Sequence, residues 1–100
     1  MPDFSTVLTD LDGNKIVAGD KPMTLGRVVA ESLLVSGDAD RNVSGEEKLR
    51  RFNLAQKVAG GGEVSLPVED LAYIKQRVGV VCTAWTVGQT WKLLDPNGAP

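Results

Sequence analysis

"LTDLDGNKIV", residues 8–17, poses the choice on which the fold turns: a calcium loop between two helices, or a chain reversal between two strands. Counted from Asp10, an EF-hand loop would find Asp10, Asp12 and Asn14 at its first, third and fifth positions, where oxygen ligands belong. Its sixth position must be glycine for a sharp bend, and its twelfth a glutamate that supplies two oxygens. Those positions hold Lys15 and Lys21. Pro2 and Pro22 bracket a stretch rich in Thr, Val and Ile, so the flanking helices are missing as well. The stretch therefore reads as a β-hairpin over about 4–18, turned at Asp12-Gly13 or Gly13-Asn14, where positive φ angles are tolerated. Asp10 and Asn14 suit hydrogen bonds to nearby amides in such a turn. A two-stranded hairpin alone is marginal in water, so this one must lie on helices or on another molecule.

Helical periodicity takes over after the hairpin. "TLGRVVAESLLVSG" spaces Leu25, Val28, Val29 and Leu33 for one face of a helix over about 25–36, stopped at Gly37. Gly26 in its first turn lowers helix propensity, and close packing against the hairpin is the reason expected for it. Ser44-Gly45-Glu46-Glu47 is a capping box that opens a second helix over about 45–59, with Leu49, Phe52, Ala55 and Val58 or Ala59 expected inward. Gly60, Gly61 and Gly62 end it and read as a flexible joint. The third helix, about 66–78, has Ser65 as its expected cap and Pro67 in its first turn. Leu71, Ile74 and Val78 form its stripe, and Gly79 its stop. The fourth, about 82–94, aligns Ala84, Val87, Gly88, Trp91 and Leu94, with Gly88 expected to admit a close neighbour. Residues 95–100 read as a tail. The sum is a single domain of α+β class, mostly α: a hairpin on a bundle of about four short helices.

Composition narrows the function. One hundred residues, 42% hydrophobic and 24% charged, suit one globular core. A net charge of −2 gives no general attraction to nucleic acid and is too small for a wholesale imitation of a DNA backbone. The single cysteine, Cys82, has no internal disulfide partner and fits a reducing compartment. No apolar run nears the ~20 residues of a membrane span, and "MPDFST" lacks the basic start of a signal peptide, so a cytosolic protein is expected. There is no histidine. That removes the commonest general base, the usual partner of a Ser or Cys nucleophile, and the commonest nitrogen ligand of metals. Paired carboxylates exist at Asp38 with Asp40 and at Glu46 with Glu47, but in contexts that read as a loop and a helix start. A non-enzymatic chain without cofactor or metal is expected.

Binding candidates are then surface groups. Asp10, Asp12, Asn14 and Lys15 form the turn, and Arg50, Arg51 and Lys57 lie on the second helix. Glu46 and Glu47 precede the arginines by one turn, so local ion pairs are expected, with contact to an acidic partner surface as the alternative. Trp91 reads as core. Trp85 is either a contact anchor or a cover for the hairpin.

The order of phrases "VLTDLDGNKI … MTLGRVVAESLL … SGEEKLRRFNLAQKV … VSLPVEDLAYIKQRVG … VGQTWKLLD" resembles small proteins encoded by bacteriophages and prophages. That resemblance implies a host bacterial cytoplasm and a larger protein or ribonucleoprotein complex as partner. It implies either an inhibitor of the anti-CRISPR kind, blocking target-DNA binding by a type I surveillance complex, or a virion or tail assembly protein. In the first role Asp10, Asp12, Asp38 and Asp40 would compete with DNA phosphates in a basic channel. A small transcriptional regulator is a further alternative, disfavoured by the charge. Direct sequence-specific nucleic-acid binding is not expected, nor is a membrane.

Overall fold

The structure, a computed structural model, describes residues 2–35 and 42–96. Gly37, the expected helix stop, and the acidic residues Asp38 and Asp40 lie outside the described residues, as does most of the expected tail. Two short antiparallel strands, β1 (Val17–Ala18) and β2 (Lys21–Pro22), precede four helices: α1 (Leu25–Leu34), α2 (Gly45–Ala59), α3 (Val68–Val81) and α4 (Ala84–Leu94). The α+β, mostly α class expected from the sequence is the class observed. Among the described residues no helix is long and apolar enough to cross a membrane.

The regular ladder lies later than the hairpin expected at about 4–18. It reverses between Ala18 and Lys21, while the Asp10–Asn14 turn carries a single bridge, Thr9 to Lys15. What replaces a long hairpin is a three-way strand junction. The amide of Leu8 donates to the Met23 carbonyl, that of Met23 to Ile16, and that of Ile16 back to Leu8, each at 2.9 Å. Three chain segments thus satisfy one another in a closed ring, which relieves the marginal stability of a lone hairpin. The same amino-terminal segment also pairs with the loop after α2, through Phe4 N–H to the Gly62 carbonyl at 2.8 Å. The triple glycine is stitched down there, with Gly62 N–H also donating to Ser5 Oγ at 2.7 Å, and so is not the free joint expected.

α1 is the centre of the core. Leu25, Val28, Val29 and Leu33 are all buried, as their spacing predicts, among Phe4, Leu8, Leu54, Val58, Ile74, Val78 and Leu94. Gly26 proves to be the closest approach. A Cβ there would lie 2.3 Å from the Val58 carbonyl oxygen and 3.1 Å from that of Phe4, so the end of α2 and the amino-terminal segment both press on it. Gly88 shows the opposite: a Cβ there would meet nothing within 4 Å, so no close neighbour explains it. The tight glycine of the α3–α4 packing is Gly79, whose Cβ position lies 3.2 Å from the Trp91 ring, and α3 runs past it to Val81.

α2 is turned relative to expectation. Its buried arc is Arg51, Leu54, Ala55 and Val58, whereas Leu49 and Phe52 are 58% and 48% exposed. Leu49 lies nine residues before Val58, about 180° around the helix, so the two cannot share a face. Arg51 goes in because its head finds a partner, donating from Nε to the Tyr73 hydroxyl at 2.8 Å. The capping box is half made: Ser44 Oγ accepts from Glu47 N–H at 3.1 Å, but the Glu47 carboxylate accepts from the Tyr73 hydroxyl instead of reaching back. Ser65 caps nothing, since α3 starts after Pro67 without a side-chain cap.

Candidate functional site

The Asp10–Asn14 turn is built by its own side chain. Asp10 Oδ1 accepts from Asp12 N–H at 2.9 Å and from Asn14 N–H at 3.0 Å, and Gly13 at φ 84° supplies the left-handed step. Asp10 N–H donates to the Asn14 carbonyl at 2.8 Å, closing the loop. This is the hydrogen bonding that the sequence predicts for Asp10, with Asn14 contributing its backbone.

α4 then grips the base of the turn. Gln89 treats the Thr9 peptide as a neighbouring strand would, its Oε1 accepting from Thr9 N–H at 3.0 Å and its Nε2 donating to the Thr9 carbonyl. Trp85 Nε1 donates to that same carbonyl at 2.8 Å. Residues 85 and 89 are four apart and therefore share a helix face. Trp85 thus covers the hairpin, one of the two uses expected for it, and remains 44% exposed. At the tip of the braced turn, Leu11 is 80% exposed, flanked by exposed Asp12. Sequence reasoning passed over Leu11, Thr9 and Gln89. The available signal was a leucine set between two turn-forming aspartates, where no core face can receive it.

An apolar groove of about 360 Å³ is lined by the junction residues Leu8, Ile16 and Met23 together with Val35, Val81 and Thr86. Ser32 and Cys82 meet in its wall at 3.4 Å. Ser32 Oγ is already committed to the Val28 carbonyl at 2.8 Å.

The other expected contact residues sit elsewhere, on α2. Arg50 does not pair with Glu46 or Glu47 along its own helix. It reaches across to Asp70 on α3 at 3.2 Å and lies over the Tyr73 ring, 4.2 Å from its centroid. Arg51 is only 9% exposed. Both arginines are thereby used to fasten α2 to α3, where they hold Tyr73, whose pKa is raised by burial first and by its bond to Glu47 second. Lys57 and Lys15 are exposed. The fold therefore joins Trp85 to the Asp10, Asp12, Asn14, Lys15 turn and leaves Arg50, Arg51 and Lys57 as a separate group on α2. Trp91 is an internal fastener, its Nε1 donating to the Lys75 carbonyl at 3.0 Å.

No protein-family model, curated protein or solved structure matches this chain.

Proposed function

We propose that this chain is a non-catalytic protein-binding module that docks through the braced turn, with Leu11, Asp12 and the exposed edge of Trp85 as its contact groups. One observation carries the reading: a leucine 80% exposed on a turn held by its own aspartate and by two α4 side chains. Fixing a turn so firmly costs conformational entropy, and an exposed leucine returns nothing within the chain. A partner that buries it gains both, because the ordering is already done before association. The half-exposed Trp85, bonded to Thr9 at the base of the turn, is the type of side chain that anchors interfaces.

The carboxylates specify the kind of partner. Asp12 is exposed and Asp10 half-buried on a turn whose apolar tip leads, which suits a basic surface with an apolar recess. The resemblance to phage-encoded proteins supports taking that surface to be the DNA-binding channel of a type I surveillance complex, blocked by occlusion. The chain has no histidine and a net charge of −2, which supports inhibition by covering over inhibition by chemistry or by bulk mimicry of DNA.

The experiment is target-DNA binding by the purified surveillance complex, titrated with the wild-type chain and with Leu11→Lys. Wild type lowers DNA binding and Leu11→Lys loses at least about tenfold in potency at unchanged thermal stability. DNA binding and cleavage that ignore saturating wild-type protein remove the inhibitor reading.

A further inference from the structure

Resting on that reading and deepening it, we infer that Gln89 is the positioning residue of the docking turn. It sets the affinity of Leu11 for its partner through the Thr9 peptide, without touching the partner itself. The strand pairing explains why one side chain can do this. Leu8 and Asp10 make the hydrogen bonds on either side of the Thr9–Lys15 bridge, Leu8 by accepting from Ile16 N–H at 2.9 Å and Asp10 by donating to the Asn14 carbonyl at 2.8 Å. Alternation then turns the N–H and C=O of Thr9 away from that pairing, as an open edge.

Gln89 closes the edge. Its Oε1 accepts from Thr9 N–H at 3.0 Å and from Thr9 Oγ1 at 3.3 Å, while its Nε2 donates to the Thr9 carbonyl. A side-chain amide presents an acceptor and a donor in one plane, as the peptide of a neighbouring strand would. Trp85 Nε1 donates to the same carbonyl at 2.8 Å, so both lone pairs of that oxygen are engaged. The peptide between Thr9 and Asp10 is therefore held from the α4 side. Asp10 in turn builds the loop, accepting from Asp12 N–H and Asn14 N–H at 2.9 and 3.0 Å. Leu11, 80% exposed, follows it directly.

Gln89 is half-buried with both ends of its amide bonded to Thr9, so its contribution to docking passes through the turn. Loss of the amide leaves the Thr9 carbonyl on Trp85 alone and takes the acceptor from Thr9 N–H. The turn then samples orientations that the partner cannot use, and apparent affinity falls with the population of the fitting one.

The test is a double-mutant cycle between Gln89 and Leu11, read as displacement of target DNA from a purified type I surveillance complex. Gln89→Met keeps an unbranched side chain and removes the hydrogen bonds. It is expected to lose about fivefold in potency, the net weight of one hydrogen bond. Leu11→Ala removes the contact without introducing charge. The double variant is expected to be little weaker than Leu11→Ala alone, because Gln89 has no other route to the partner. On the free chain, amide exchange at Asp12 and Asn14 is expected to quicken about fivefold in Gln89→Met. Circular dichroism checks that each variant is folded, and Gln89→Ala repeats both readings if the methionine variant is not. Wild-type protein that leaves DNA binding unchanged removes the docking reading and this inference with it. Inhibition by Gln89→Met equal to that of wild type, a loss that adds in full to that of Leu11→Ala, or unchanged exchange at Asp12 and Asn14 overturns the inference alone.

Discussion

Two buried positions show how far a single side chain governs this fold. At Gly26 the space for a methyl group is filled by the Val58 carbonyl, 2.3 Å from where the Cβ would stand, and backbone does not swing aside as a long side chain would. Gly26→Ala is therefore expected to destabilise the protein by about 2–3 kcal/mol despite alanine's better helix propensity, as read by urea or thermal unfolding. A stabilised variant would mean that α1 and α2 are not in this contact. Thr90 shows the reverse case, fully buried on α4 with a hydroxyl that has no partner among the described residues. Thr90→Val keeps the shape and removes the stranded group, and is expected to stabilise by about 1 kcal/mol in the same measurement. The reason for Gly26 was legible from sequence, since a glycine in a first turn between apolar residues has few other uses. Gly88 invited the same argument and the surrounding space refuses it, because what stands opposite a glycine depends on an element that its own helix does not encode.

Element by element, the helices were legible to within a few residues, while the facing of α2 was not. Counting apolar residues placed Leu49 and Phe52 inside. The helix instead sets Arg51 and Leu54 inward, because Arg51 is satisfied by the Tyr73 hydroxyl from another helix. A buried arginine is not foreseeable until its acceptor is in place. The α2–α3 fastening has its own measurable signature. Tyr73 is the only tyrosine, so its phenolate absorbance is unambiguous. Burial chiefly, then the Glu47 carboxylate, hold its pKa above the ordinary value near 10. A group whose folded pKa lies above its unfolded one lends stability that is whole below about pH 10 and is lost as pH climbs through the folded value. Alkaline titration should find Tyr73 ionising above the ordinary range. Glu47→Gln should lower the midpoint while leaving it raised, since burial remains. Tyr73→Phe should flatten the alkaline fall in stability. Ionisation at the ordinary value would contradict the network.

Across the molecule, the amino-terminal segment is the piece that sequence described least well and the proposed docking leans on most. The acidic turn and its Asp10 hydrogen bonds were visible in "TDLDG", because those are local contacts. The ring of Leu8, Ile16 and Met23 and the grip of Gln89 on Thr9 were not, because each joins residues far apart in the chain with no periodicity to announce them. The result is a stiff turn with Leu11 exposed at its tip, while Leu49 is exposed on α2. The proposed docking rests on Leu11 and not on Leu49. The most direct measurement compares wild type, Leu11→Lys and Leu49→Glu for displacement of target DNA from a purified type I surveillance complex. The proposal predicts displacement by wild type and by Leu49→Glu at comparable occupancy, with a loss of about tenfold or more for Leu11→Lys. Equal potency of wild type and Leu11→Lys, or no displacement by any of the three, would contradict it.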